Sequence, residues 1–351
     1  MKKKAFWSTI WILALGLVGC DCVRKNSREN IFDHIVNIPK NLEQHIPYLP
    51  PLCDKLTGLK KGFVDINSGK LYYEEEGHGV PLVLINGGPG GTHHGFHPYF
   101  SKINNIFRII YYDQRGTGKS SFDVTGKTYT VKQAVEDLEN LRKALKIEKW
   151  AILGWSYGGL LAQCYALTYP EHVIGLVLVA SQSGVQEPVM KPIRNKMFIA
   201  PTEQNAINDV REKFSRGEIT ALQSMYNQHL EGDWKRYSYY KPTTEELIRK
   251  GLYEWAPANG FEDAMRANIN TINLEGKFAN FNIPTLIIEA RWDLLWWNPD
   301  RAEVMRKNHP NARLEVFEKS GHKIFADEPE KFFAILKKFL QNSSMLHFDS
   351  K

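Results

Sequence analysis

The chain lacks the features that mark disulfide-rich, repetitive or unstructured proteins. Only four of its 351 residues are cysteine, which excludes a small fold held together by disulfide bonds. It contains no internal repeat and no low-complexity tract. With 43% hydrophobic and 24% charged residues, its composition is that of a globular protein with room for one large domain and an insertion.

A marked excess of charge of one sign is also lacking. The formal net charge is +6, and three of these positive charges are the lysines at positions 2–4. So small an excess gives no support for binding to nucleic acid. We therefore expect no nucleic-acid partner.

The N-terminus has no apolar run long enough to span a membrane. The largely apolar run covers residues 5–19, whereas a transmembrane helix needs about 20 residues. Because lysines precede this run, the pattern predicts a signal peptide over residues 1–19. Residues 17–20 resemble the lipobox of bacterial lipoproteins, in which the chain is cut before the cysteine and the thiol carries a diacylglyceryl group. An ordinary signal peptide and a short anchor helix are the alternatives.

A lipid group on Cys20 would anchor the protein to a membrane on its exported side. Asp21 resembles a signal for retention in the inner membrane, which favours the periplasmic face of that membrane. In an oxidising compartment Cys22 and Cys53 could form a disulfide bond, and the sequence leaves this pairing open.

From residue 61 onward, apolar runs alternate with helical spacing. Continuous apolar runs are typical of strands buried on both faces of a parallel sheet. The spacing of Val131, Val135 and Leu138 predicts a helix over residues 131–145. The alternation therefore predicts an α/β fold with a mostly parallel sheet. The predicted strands are 62–66 and 70–74, which form a hairpin, and then 81–85, 107–112, 150–153, 173–180, 284–288 and 313–317.

A long segment without clear strands interrupts this alternation. Residues 185–277 contain helix-like, aromatic-rich stretches and predict a helical cap that forms the substrate pocket. The other predicted boundaries are a tether and N-terminal arm at 20–60, a core in two parts at 61–184 and 278–342, and a tail at 343–351.

The most informative motif surrounds Ser156. Gly154 and Gly158 flank this serine, an apolar run precedes it and a helical pattern follows it. A G-x-S-x-G sequence between a strand and a helix is typical of a nucleophile elbow, in which a tight turn presents the serine hydroxyl above the N-terminus of the helix. The pattern therefore predicts that Ser156 is a catalytic nucleophile.

A serine nucleophile needs a base, and the base needs an acid that orients it. Asp293 follows the predicted strand that begins at residue 284, and His322 follows the predicted strand 313–317. The chain order of serine, aspartate and histidine predicts a catalytic triad in which His322 moves the proton and Asp293 holds its tautomer. Taken singly, each of these two residues is more simply a loop residue.

The loop after the first predicted central strand is rich in glycine. Residues 86–91 have the sequence Asn-Gly-Gly-Pro-Gly-Gly, and glycine lets the backbone approach a ligand closely. We expect the N–H groups of Gly88 and Tyr157 to form the oxyanion hole that stabilises the tetrahedral intermediate.

Together these motifs resemble an α/β-hydrolase of the proline iminopeptidase-like family. The matching segments are residues 86–91, 112–120 and 154–159, with Asp293 and 321–322. The resemblance implies release of an N-terminal residue, often proline, from short peptides, or cleavage of amino-acid amides and esters. It also implies cap acids that bind the free amino group of the substrate, for which the candidates are Glu254 beside Trp255, and Glu262 with Asp263. Asn86 departs from the histidine that usually begins the glycine-rich loop.

Other segments look like functional motifs but lack residues that those functions need. Residues 116–120 look like the end of a P-loop, but Asp113 occupies the position of its first glycine. We expect Asp113 to form an ion pair with Arg115 instead. The cluster of His93, His94 and His97 lacks the carboxylate or spacing of a metal site, so no metal is expected. Aromatic residues in and after the predicted cap either line the pocket or serve ordinary packing, and the sequence does not distinguish these roles. They are Tyr237, Tyr239, Tyr240, Trp296 and Trp297.

The sequence thus predicts a serine hydrolase that works through an acyl-enzyme and needs no cofactor. Its first candidate substrate is a short peptide with a free N-terminus. A carboxylesterase or amidase acting on small acyl substrates is the alternative. A lipoprotein that keeps the fold only for binding is a third hypothesis, which the intact triad disfavours. An epoxide hydrolase would have an aspartate as the nucleophile of the elbow, so Ser156 argues against that activity.

Overall fold

The computed structural model describes residues 52–184, 199–219, 221–293, 295 and 301–348. Cys20, Asp21, Cys22, Trp296 and Trp297 lie outside these residues. The strands are β1 (Lys60–Ile66), β2 (Gly69–Glu76), β3 (Val80–Ile85), β4 (Phe107–Tyr112), β5 (Trp150–Trp155), β6 (Val173–Val179), β7 (Thr285–Ala290) and β8 (Arg313–Phe317). The α-helices are α1 (Val131–Ala144), α2 (Tyr157–Thr168), α3 (Pro201–Ser215), α4 (Ala221–Leu230), α5 (Thr244–Leu252), α6 (Phe261–Ile269), α7 (Arg301–Asn308), α8 (Ile324–Asp327) and α9 (Pro329–Phe348).

The strands form one sheet in the order β1-β2-β4-β3-β5-β6-β7-β8. Strand β2 pairs in antiparallel fashion with both β1 and β4, and the pairs from β3 to β8 are parallel. The mostly parallel α/β sheet predicted from the apolar runs is therefore confirmed. Parallel strands end at the same edge of a sheet, so the loops after β3, β5, β7 and β8 all emerge on one side.

The centre of the sheet is covered on both faces, which explains why its central strands β3, β5 and β6 are almost entirely apolar. Every residue of β6 is buried. One apolar cluster joins the sheet to residues of α1 and α2, and a second joins it to Phe325 and Phe332 near the C-terminus. Strands buried on both faces need no polar residue at alternate positions.

Helices α3 to α6 follow one another between β6 and β7. This is the region for which the sequence predicted a cap, and the exact division of the chain into cap and core stays a prediction. No helix in the described part of the chain has the length and apolar character needed to cross a membrane.

The predicted ion pair between Asp113 and Arg115 is wrong. The Arg115 guanidinium pairs with Asp137 on α1, with its Nε 2.8 Å from Oδ2. Asp113 instead accepts hydrogen bonds from His93, both from its backbone N–H and from its ring. The two residues lie close in the chain, but their side chains extend to different helices and loops.

Candidate active site

Ser156 lies at the turn between β5 and α2 in a strained backbone conformation. Its φ of 58° and ψ of −124° are rare for a residue with a side chain. A Cβ on Gly154 would collide with the backbone of Gly158, and one on Gly158 would collide with the carbonyl oxygen of Ile85. The turn therefore requires glycine on both sides of the serine.

The glycine-rich loop after β3 lies against this turn. A Cβ on Gly87 would be 3.1 Å from the Cβ of Ser156, so the loop backbone passes directly beside the serine. Gly88 has a φ of +126°, which a residue with a side chain rarely adopts. Asn86 donates from its side-chain amide to the carbonyl oxygen of Tyr112 at 2.9 Å and so ties the loop to the end of β4.

Tyr157 is the first residue of α2, where the backbone N–H groups have no partner within the helix. Its position directly after the serine and beside the glycine-rich loop is the one expected of an oxyanion donor. The roles of Gly88 and Tyr157 as donors stay predictions.

The structure brings Asp293 and His322 together. The Nδ1 atom of His322 is 2.7 Å from the Oδ2 atom of Asp293, and both side chains are buried. The other carboxylate oxygen of Asp293 accepts the N–H of Leu295 at 3.0 Å. When Nδ1 donates to the carboxylate, the Nε2 atom of His322 is free to accept a proton.

Trp155 links this histidine to the elbow. The indole Nε1 of Trp155 donates to the carbonyl oxygen of His322 at 2.9 Å, and their ring centroids are 5.4 Å apart. Among the described residues, no hydrogen bond joins the hydroxyl of Ser156 to His322. Such bonds are often loose before substrate binds, so this arrangement is compatible with a triad that tightens on the substrate.

Glu254 and Trp255 contact the glycine-rich loop and the residue that follows it. The carbonyl oxygen of Glu254 accepts the N–H of Thr92 at 3.1 Å. The indole of Trp255 contacts the loop so closely that a Cβ on Gly90 would be 2.8 Å from its Cζ2 atom. The carboxylate of Glu254 is not free, because its Oε1 atom is 2.8 Å from the Nζ atom of Lys323.

Sequence reasoning missed the role of the histidines behind this loop. The ring of His93 lies between Asp113, at 2.8 Å, and Glu74, at 3.4 Å. Burial disfavours the charged ring, but the two carboxylates outweigh it and raise the pKa of His93 to about 10. His97 contacts the other oxygen of Glu74 at 3.0 Å. In the described residues no group of histidine, cysteine and acidic side chains has a metal-binding arrangement.

Asp327 was also missed, although it supports the loop that carries His322. Its Oδ2 atom accepts the N–H groups of Gly321 and Tyr239, each at 2.8 Å. Burial raises the pKa of this carboxyl to about 6. The only signal in the sequence was its position five residues after His322.

Comparison with known proteins gives this site its context. The sequence profile of the α/β-hydrolase fold family matches residues 80–329, a range that includes Ser156, Asp293 and His322. The chain therefore belongs to the α/β-hydrolase family.

Its curated relatives include proline iminopeptidases. One from Saccharolobus solfataricus is 29% identical over 292 residues, which cover 80% of this chain and 92% of the relative. Another, from Lactobacillus acidophilus, is 31% identical and covers 74% of this chain and 89% of the relative. Among solved structures, an esterase from Exiguobacterium antarcticum aligns with a TM-score of 0.62 and 24% identity, over 80% of this chain and 98% of the esterase.

Proposed function

We propose that this protein is a serine aminopeptidase that releases an N-terminal residue, proline in particular, from short peptides. The observation that carries the proposal is the buried pair of His322 and Asp293, 2.7 Å apart, beside the strained turn that holds Ser156. The similarity to proline iminopeptidases supports the choice of substrate.

In the proposed reaction the Ser156 hydroxyl attacks the carbonyl carbon of the N-terminal residue while His322 takes its proton. The resulting oxyanion lies near the N–H groups of Gly88 and Tyr157. As the bond to nitrogen breaks, His322 returns the proton to the leaving amine, and an acyl-enzyme remains. Water, activated by the same histidine, then releases the acyl group. Asp293 stays ionised and stabilises the imidazolium that forms in each step.

A small-molecule carboxylesterase or amidase is the second candidate. The observation in its favour is the ion pair of Glu254 with Lys323, because the acid expected to bind the substrate ammonium already holds an ammonium of the chain. Under this alternative Ser156 and His322 play the same parts, and no free amino group is needed on the substrate.

The two candidates differ in their use of the substrate amine. We would compare a prolyl arylamide, its N-acetylated form and a simple aryl ester as substrates of the full-length chain in detergent. Cleavage of the free amine but not the acetylated form supports the aminopeptidase, and cleavage of the ester alone supports the esterase. Replacement Ser156→Ala should lower either activity by at least about 1,000-fold. Turnover that does not depend on Ser156 would contradict both.

We also propose that Cys20 carries a lipid that anchors the chain to the periplasmic face of the inner membrane. Support comes from the lipobox-like residues 17–20 and from Asp21. Growth with a labelled fatty acid should label the wild type and the matched control Cys22→Ser, but not Cys20→Ser. Equal labelling of both variants would contradict the assignment.

A further inference from the structure

A cleft opens beside the loop that carries His322, and Asp327 in its wall accepts the N–H of Gly321 at 2.8 Å. Its walls include the aromatic residues Tyr99, Trp234 and Tyr240 and the cations Lys250 and Lys323. One of these cations, Lys323, directly follows the proposed general base, His322, in the chain.

The two acids that line the cleft are occupied by donors of the chain. The carboxylate of Glu246 accepts the hydroxyl of Tyr99 at 2.9 Å and the N–H of Thr243 at 2.8 Å. Asp327 accepts backbone N–H groups, including that of Gly321. Neither acid forms an ion pair with a lysine of the cleft.

The two acids just outside the cleft are paired with cations other than Lys250. Glu254 holds Lys323 at 2.8 Å. Asp233 holds Arg236 at 2.6 Å. The charge of Lys323 is thus compensated within the fold, and the acids nearest to Lys250 have partners of their own.

Lys250 is the exception. Its Nζ atom lies 2.9 Å from the ring centroid of Tyr237, and it forms neither an ion pair nor a hydrogen bond with any residue the structure describes. Burial lowers the pKa of Lys250 well below its usual value. The charges of Glu254, Asp233 and Asp327 act against this shift, and that of Lys323 adds to it. His229, which stacks on the same tyrosine, has its pKa lowered by burial to about 4 and is neutral at physiological pH.

Lys250 is partly buried, and an ammonium withdrawn from water without a counter-ion is costly unless something supplies the opposite charge. A bound carboxylate would supply it and would favour the charged form of Lys250. A single lysine suits a carboxylate better than a phosphate, which proteins usually hold with several donors. The aromatic walls suit an apolar group attached to that carboxylate.

We propose that this cleft binds the C-terminal carboxylate of the leaving peptide, with Lys250 as its direct partner. The inference rests on the proposed aminopeptidase function, in which the substrate has its ammonium at one end and its carboxylate in the leaving group. It narrows the substrate class to short peptides with a free C-terminus and an apolar residue there.

The first test compares prolyl-phenylalanine with prolyl-phenylalanine amide, which differ only in that charge. In the full-length protein, Lys250→Met should lower the ratio of kcat/KM for the acid to kcat/KM for the amide by about 10- to 100-fold. Lys132→Met, on the exposed face of α1, removes one positive charge elsewhere and should leave the ratio unchanged. An unchanged ratio in Lys250→Met would overturn the proposal.

A second test separates this proposal from the aminopeptidase function itself. Binding of 3-phenylpropionate to the full-length Ser156→Ala protein, measured by calorimetry, requires no turnover. We expect Lys250→Met in that background to weaken binding at least tenfold and Lys132→Met to leave it unchanged. Two results would overturn the carboxylate site, whether or not proline peptides are cleaved. One is equal binding by the Ser156→Ala protein and its two double variants, and the other is failure of the Ser156→Ala single variant to bind 3-phenylpropionate.

Discussion

The core behind the glycine-rich loop and the cleft between residues 234–250 and 323–327 both bury charged side chains, but they differ in how the charges are matched. In the core, His93 lies between Asp113 and Glu74, and Arg115 is paired with Asp137. In the cleft, one cation, Lys323, is paired with Glu254, and the other, Lys250, lies on an aromatic ring.

This difference separates structural charges from charges available to a ligand. Asp113 accepts from the backbone and the ring of His93 and from the backbone of Lys119, so one carboxylate joins two loops. Buried, charge-assisted hydrogen bonds of this kind hold their neighbours in one geometry. An ammonium such as Lys250, which has no acid partner among the described residues, costs stability unless a ligand supplies the opposite charge.

The largest effect should follow from breaking a closed pair in the core. Arg115→Met leaves the buried carboxylate of Asp137 without its cation and should lower the free energy of unfolding by about 3–5 kcal/mol. Urea denaturation measures this. The matched control is Arg291→Met, whose pair with Glu318 is about half exposed and should contribute less than about 1 kcal/mol. Similar losses in the two variants would show that burial does not set the strength of these pairs.

The histidine network should make stability depend on pH. The pKa of His93 is raised from its ordinary 6.5 to about 10. Its contribution is therefore complete below pH 6.5 and is lost as the pH rises toward 10, by at most about 1.4 kcal/mol per pH unit. Urea unfolding from pH 6 to 10 should show a smaller slope for His93→Gln than for the wild type. Parallel slopes would mean that His93 is neutral in the folded protein.

A smaller loss should follow from opening the closed pair at the cleft. Lys323→Met leaves Glu254 without its cation and should destabilise the fold by about 1–3 kcal/mol, as read from thermal unfolding. Adding Glu254→Gln should recover part of this loss, because the uncompensated charge is removed. A double variant less stable than Lys323→Met would show that the pair acts through packing instead of charge.

The smallest effect on stability should come from Lys250. Because no acid of the described residues pairs with this ammonium, Lys250→Met should change the free energy of unfolding by less than about 1 kcal/mol, or raise it. Urea denaturation of Lys250→Met and Arg115→Met under the same conditions compares the two losses in the free energy of unfolding. A loss above about 2 kcal/mol would place Lys250 with the structural charges of the core.

The strands could be predicted because burial on both faces leaves a continuous apolar signature. The run 107–112 was predicted with the bounds that β4 has, and β5 extends the predicted run by two residues. Helices α3, α6 and α7 were not predicted individually, and each of them has few fully buried residues to mark an apolar face, as α3 shows with only Ile207 and Val210 buried. The proximity of Asp293 and His322 could be predicted because parallel strands end at one edge of the sheet.

Side-chain partners could not be predicted in the same way. Arg115 was expected to pair with Asp113, two residues away, but pairs with Asp137. Glu254 was expected to bind the amino group of a substrate, but it forms an ion pair with Lys323, 69 residues further along the chain. Each choice depends on distances that exist only once separate loops are packed together.

The sequence alone determined the sheet, the elbow and the order of Ser156, Asp293 and His322, because these follow from local patterns and from the common direction of parallel strands. Only the tertiary structure decided which charges are matched. Ion pairing is set by ångström-scale distances between residues far apart in the chain, and these left Lys250 on the ring of Tyr237 at the edge of the cleft.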